Sequence, residues 1–312
     1  MTHLSIAGRG FERFLREHHF DADDTRFLTR QLEQVETEVY QKLFTPAKAR
    51  FFIPLQPGVS RSADTYTYQM TEHVGQAKII ANYADDLPRV DVLGTDRSTK
   101  IVSVGDSFAY SLQDLRRAAD NGIPLEQERV SAARDAMERQ IDDQWALGGP
   151  GMDGFLVHPN VPIVARTAGA WSAVSSEGIL ADMNKLAQSI VTATKEAHIP
   201  DTLILDTESF GRVATQLIGT SGDKTILETF LAKSPYIRSV EQWTRLDNAG
   251  AAGARRIVAY QKSRQVLSGL APIDFEMMPP EPKNLAWSVA CHGRAGGTIV
   301  RYPKAIVYMD GV

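Results

Sequence analysis

Between residues 65 and 104 apolar and polar side chains alternate, with charges scattered through the alternation. The segments Thr65-Tyr-Thr-Tyr-Gln-Met70, Ala77-Lys-Ile-Ile-Ala-Asn-Tyr83, Pro88-Arg-Val-Asp-Val92 and Thr99-Lys-Ile-Val-Ser-Val104 each read as β-strands. Turn chemistry separates them at Glu72-His-Val-Gly75, Asp85-Asp-Leu-Pro88 and Gly94-Thr-Asp96. A ribbon with both faces part polar buries too little apolar surface to be stable alone, so it needs a surface from elsewhere. That surface is either the ribbon's own chain, onto which a hairpin folds back, or a second copy of the chain.

Beyond the ribbon the period changes from two to 3.6. Val130, Ala133, Met137, Ile141 and Trp145 form one apolar stripe, and Arg134, Asp135, Glu138, Arg139, Asp142 and Asp143 fill the other positions. This predicts a helix over 124–147, with Pro124 in its first turn and Glu126 and Glu128 at its positive end. At 1.5 Å per residue it is ~36 Å long. Gly148-Gly-Pro-Gly151 stops it. Before it, 99–104 and 107–111 read as strands of a better buried sheet, and 113–120 as a short helix closed by Asn121-Gly122. Near the N-terminus, 22–44 reads as a helix lined by Phe27, Leu28, Leu32, Val35, Val39 and Leu43. Pro46, Pro54, Pro57 and Gly58 then break regular structure, so the first sixty residues read as an arm ahead of the main body.

From Ser175 the pattern is α/β, with helices over 177–197, 207–217 and 224–232 and strands over 202–205 and 237–242. A strand over 161–165 precedes this block. A flexible loop, 248–253, follows it, and then strands over 256–261, 275–278, 286–290, 298–301 and 305–308. The fold class is α+β.

Composition narrows the function. The chain has 312 residues, 43% of them hydrophobic, and a net charge of −4, which describes a globular protein and argues against one whose main work is gripping nucleic acid. It carries no basic-then-apolar leader and no apolar run of membrane-spanning length, so it reads as soluble, without a membrane partner, and made in cytoplasm. Cys291 is the single cysteine and reads as a small buried hydrophobe. No cofactor or metal is expected, because each partial motif fails on geometry. Gly219-Thr-Ser-Gly-Asp-Lys-Thr225 lacks the glycine before its lysine and places Asp223 where phosphate oxygens would sit, so it reads as a helix-to-helix turn. His18-His19, Asp85-Asp86 and Asp142-Asp143 are adjacent pairs whose side chains diverge, and the last reads as a solvated helix face. No nucleophile, base or metal cluster converges, so the chain reads as a non-enzyme.

The order of arm, charged ribbon, long helix, glycine break and α/β block resembles the major capsid proteins of tailed bacteriophages with the Hong Kong 97-type fold. The resemblance spans nearly the whole chain. It is carried by Tyr83-Ala-Asp-Asp-Leu-Pro-Arg-Val-Asp91, by the helix end Asp142-Asp-Gln-Trp-Ala-Leu-Gly-Gly149, and by Gly154-Phe-Leu156. It implies an N-terminal arm over 1–62, an extended β-hairpin E-loop over 63–98, and a P-domain over 99–165 whose spine helix is 124–147. It further implies an A-domain over 166–253, P-domain strands over 254–297 and a C-terminal A-domain segment over 298–312. It also implies self-assembly into hexamers and pentamers of an icosahedral virion shell around double-stranded DNA, assembled in the host cytoplasm, with the DNA touched only weakly and non-specifically. The ribbon then packs on a neighbouring subunit, through Tyr66, Tyr68, Ile79, Ile80, Tyr83, Arg89, Val90 and Asp91. A portal and a separate scaffolding protein are the further partners implied, since about sixty residues before the E-loop are too few for a fused scaffold. No activating carboxylate is placed beside Lys78 or Lys100, so no lysine cross-link is expected. The same fold builds encapsulins, compartments that enclose cargo enzymes, and that is the alternative.

Overall fold

The computed structural model describes residues 45–75, 89–114, 116, 125–167, 169–219 and 223–312. The helix expected over 22–44, the strand over 77–83, the turn at 85–88 and most of the helix over 113–120 lie outside the described residues. Every element below belongs to the unit 46–312. In chain order these are α1 (Ala49–Phe52), β1 (Thr65–Val74), β2 (Asp91–Ser111), α2 (Leu125–Leu147), α3 (Ser176–Thr194), β3 (Thr202–Leu205), α4 (Thr207–Thr215) and α5 (Ile226–Lys233). They are followed by β4 (Ser239–Gln242), β5 (Arg256–Tyr260), β6 (Leu267–Gly269), β7 (Ile273–Met277), β8 (Glu281–Lys283), β9 (Ala286–Gly296), β10 (Thr298–Val300) and β11 (Ile306–Asp310).

The apolar stripe of α2 serves two cores. Ala133 and Met137 pack with Cys291 of β9, beside Val104, Phe108 and Phe275. A turn and more further on, Ile141 and Trp145 enter a larger core with Phe52, Phe155, Trp243 and Tyr260. The helix stops where Gly148 takes φ +76°, which an L side chain rarely adopts. Its last carbonyls find donors: the amides of Phe155 and Leu156 bond to the carbonyls of Trp145 (2.8 Å) and Ala146 (2.9 Å). A Cβ on Gly154 would lie 2.3 Å from the carbonyl carbon of Leu147. The Gly-Phe-Leu motif is therefore the stop of the long helix, and both its apolar side chains are fully buried.

The α/β block is built on the four-stranded sheet β11-β5-β3-β4, whose side chains alternate between two cores. Ile204, Val258, Tyr260, Ile306 and Tyr308 face the core of α2. Leu203, Leu205, Ile257, Ala259, Val307 and Met309 face Ile179, Met183, Leu186 and Ile190 of α3, Val213 of α4 and Phe230 of α5. Arg256, 5% exposed, bonds both oxygens of Asp310 (2.6 and 2.7 Å) on the adjacent strand. Burial pushes the Asp310 carboxyl upward, but this fork and the Ala251 amide outweigh it and hold the group below its usual range.

Several expectations are corrected. The turn expected at 94–96 does not form, because these residues pair with 69–71 of β1. Strands 88–92, 99–104 and 107–111 are replaced by one 21-residue strand, β2, held in unbroken register by β1 on one half and by β9 on the other. The turn expected at 72–75 gives way to strand through Val74. Residues 161–165 form no strand; Pro162 interrupts them, and Ile163 makes a single bridge to Tyr308. The loop over 248–253 is largely 3-10 helix, Thr244–Asn248 and Ala251–Gly253. Asp142 is 2% exposed rather than solvated, because α1 and the Thr244–Asn248 turn cover that side of α2. Its oxygens accept from the Ala49 amide (2.7 Å) and Arg245 Nε (3.1 Å). The short strands β6 and β8 carry no sequence signal. Within 254–297, β5 belongs to the sheet of the α/β block, whereas β7, β8 and β9 belong to the sheet of β2.

Candidate assembly surface

β2 is ~69 Å long at about 3.3 Å per residue, and its two halves have different neighbours. Residues 101–111 pair with β9 inside a sheet that continues to β7 and β8. Residues 91–100 pair only with β1, whose other edge is open among the described residues. The ribbon is thus the outer half of a strand whose inner half is anchored.

Opposed residues of an antiparallel pair share a face, so Tyr66, Tyr68, Met70 and Val74 lie with Thr99, Arg97 and Leu93. The chain's own body covers the inner part of this face. Tyr66 and Tyr68 are half-buried against Ile101, Leu270 and Ile299, beside Val59 and Ala63. The Arg301 guanidinium lies 5.6 Å from the Tyr68 ring centre. Further out the cover ends: every residue from 91 to 98 is exposed, and Val74 (47%), Val90 (70%), Val92 (52%) and Leu93 (56%) leave their aliphatic groups in water.

Where covered and uncovered parts meet, Tyr68, Arg97, Asp153, His158 and Thr298 line a small cleft. His158 is 5% exposed; its Nδ1 accepts from the Asn160 amide (3.2 Å), and its Nε2 lies 3.8 Å from Asp153. Burial lowers the His158 pKa, with Asp153 opposing and Arg97 reinforcing the shift.

The expected contact residues therefore separate. Tyr66 and Tyr68 sit against their own chain, Arg89, Val90 and Asp91 are exposed, and Ile79, Ile80 and Tyr83 lie outside the described residues. Sequence reasoning passed over Val74, Val92 and Leu93. Their signal was the alternation itself, cut short by reading 72–75 and 94–96 as turns. Lys100 lies along Gly151. Thr225 caps α5 through a reciprocal bond with Glu228, as a helix-to-helix turn requires. Among the described residues no three His, Cys, Asp or Glu side chains are grouped to hold a metal ion, and no helix is long and apolar enough to cross a membrane.

Residues 75–312 match the model of a family described as "Major capsid protein". No curated protein matches the chain. Among solved structures, the capsid of Myoviridae phage XM1 aligns over 91% of this chain and 98% of its own at 17% identity, with a TM-score of 0.77. A Mycobacterium phage Bobi chain aligns over 94% and 100% at 13% identity and a TM-score of 0.65. The virus-like particle from Pyrococcus furiosus aligns over 83% and 90% at 14% identity and a TM-score of 0.54. At such identities these likenesses establish the fold, which is that of the Hong Kong 97-type capsid subunits.

Proposed function

The chain belongs to the major capsid protein family, and from that premise we propose that it builds the icosahedral head of a tailed phage around double-stranded DNA. Copies associate as hexamers and pentamers, and the outer half of each hairpin lies across a neighbouring copy. Scaffolding protein and portal are separate partners. The observation that carries the hairpin's role is the end of its cover beyond Tyr68: four aliphatic side chains and an open strand edge remain with no partner on the described chain.

Magnitudes set how such a contact works. Val74 and Leu93 share one face of the ribbon and Val92 lies on the other, so covering the Val74 and Leu93 face contributes roughly 1–3 kcal/mol. Bringing two subunits together costs an estimated 4–15 kcal/mol. One hairpin contact does not hold a pair, so stability comes from each subunit meeting several neighbours in a closed assembly. The match to a family described as "Major capsid protein" supports a phage head over a cargo compartment.

The test follows from the register. Tyr68 and Arg97 are direct partners, so residues 69–96 can be replaced by a two-residue Asn-Gly turn that closes the shortened hairpin. The expected product is a folded subunit that forms no closed shells by electron microscopy, whereas the full chain forms shells large enough for a genome. Wild-type shells from the shortened chain would refute the hairpin's role. Small shells filled with protein, from the full chain, would move the assignment to a compartment.

A further inference from the structure

We infer that Lys262, Arg264, Arg301 and Lys304 form the surface through which the subunit touches the phosphate backbone of packaged DNA. This rests on the phage-head reading and names the contact that it leaves open. The two turns that carry these residues are bonded together. The Gln261 amide bonds to the Ala305 carbonyl (3.3 Å) and the Arg301 amide to the Val266 carbonyl (2.8 Å). Arg301 is fixed by neutral acceptors alone, the Arg264 carbonyl (2.6 Å), Ser268 Oγ (3.0 Å) and Gln56 Oε1 (3.0 Å). Lys262, Arg264 and Lys304 are exposed, with the Lys262 ammonium 4.2 Å from the centre of the Phe51 ring.

None of the four makes an ion pair among the described residues, whereas Arg50, Arg129, Arg212, Arg245, Arg255, Arg256 and Arg294 each do. Asp201, which borders the patch, accepts through Oδ1 from the Lys262 amide and the Thr202 hydroxyl (2.8 Å each). On a chain of net charge −4 this is a local concentration of positive charge left free. Arg301, held planar and in place, offers a guanidinium edge, and the three flexible cations around it suit a repeating anion rather than one ligand geometry. Residues 69–96 carry Glu72, Asp85, Asp86, Asp91 and Asp96 against Lys78 and Arg89, so the hairpin of a neighbouring copy is the competing occupant, which loss of shell closure with an unchanged salt slope distinguishes from DNA. A few such contacts per subunit give the weak, sequence-independent hold that a container needs.

The test measures binding of purified subunits to a random-sequence 20-base-pair duplex by fluorescence anisotropy across salt concentrations. For Lys262→Glu/Arg264→Glu/Lys304→Glu, the slope of log affinity against log salt should fall by about 2–3, since each phosphate contact contributes about 0.9. The milder Lys262→Gln/Lys304→Gln pair should lower it by about 2, and it serves if the reversal does not fold. A control, Lys195→Glu/Lys233→Glu on the α/β block, should leave the slope unchanged. Equal slopes in test and control variants, or a wild-type subunit without measurable affinity, overturn the inference. So does loss of shell closure with an unchanged slope, which makes the patch a contact between subunits. Because the slope is read on unassembled subunits, failure of the patch and failure of the shell are seen separately.

Discussion

The four-stranded sheet of the α/β block and the outer half of the hairpin are both β-structure, yet one is closed and the other unfinished. Every residue of β3 and β5 is buried, and their side chains alternate between two cores that the same chain supplies. Every residue from 91 to 98 of β2 is exposed, on a ribbon with a single strand partner. The sheet is held by its own packing. The ribbon is held by continuity with the inner half of β2, which β9 and α2 clamp, and its outer faces are left in water. On the proposed reading, subunit stability and assembly capacity reside in different residues.

The comparison breaks most sharply in the body. Trp145 is fully buried, donates to the Leu270 carbonyl (3.2 Å), and fills the space that leaves no room for a Cβ on Gly269. Trp145→Ala should lower the unfolding free energy of dissociated subunits by about 3–5 kcal/mol, read from the denaturant midpoint. Asp142→Ala comes next. It strands the buried Ala49 amide, while Arg245 keeps Asp143, for a loss of about 1–3 kcal/mol, and Asp142→Asn, which keeps one acceptor, should lose less. An unchanged midpoint for either would mean that the α2 core does not carry the subunit.

The legibility of the chain follows the same division. The 3.6 period of α2 and the apolar runs of β3 and β5 report burial within one chain, and the sequence located them to within a residue or two. The glycine break and Gly-Phe-Leu were legible as a motif, but their role as the helix stop needed the bonds from Phe155 and Leu156. Gly94-Thr-Asp96 misled because turn propensity is local, whereas the bonds that keep it extended come from residues 69–71. Asp142 misled because a polar residue on a helix reads as solvated until the covering segment is known. That the chain's own body leaves part of the hairpin uncovered accords with the polarity of both faces. Which residues remain free was not legible, because Tyr66 and Tyr68 resemble Val92 and Leu93 in pattern and differ only in what the rest of the chain places over them.

A smaller effect sits at the joint between the two regions. Burial is the main cause that lowers the His158 pKa from the ordinary 6.5, so the folded joint favours the neutral ring. Above that value the ring is neutral in both folded and unfolded chains and contributes nothing to pH dependence. As pH falls below it the unfolded chain takes up the proton first, and stability declines until the folded group titrates as well. His158→Asn keeps an acceptor for the Asn160 amide and should remove this slope. The check is a series of denaturant midpoints from pH 7 down to about 5, where only the wild type should lose stability from this source. Parallel curves would mean that His158 is not the group responsible.

The smallest effect on folding is expected where the effect on assembly is complete. Val74→Ser/Leu93→Ser removes two aliphatic groups that lie in water on the outer face of the hairpin, beyond the reach of Leu270 and Ile299. Dissociated subunits should keep their unfolding free energy within about 0.5 kcal/mol, as exposed substitutions generally do. The same change removes from each intersubunit contact the apolar cover worth roughly 1–3 kcal/mol, repeated at every position of the shell. Closed particles should then disappear by electron microscopy, while the soluble subunit remains indistinguishable by circular dichroism. A large loss of subunit stability instead would show that the outer hairpin packs on its own body, and the distinction between the finished sheet and the unfinished one would no longer hold.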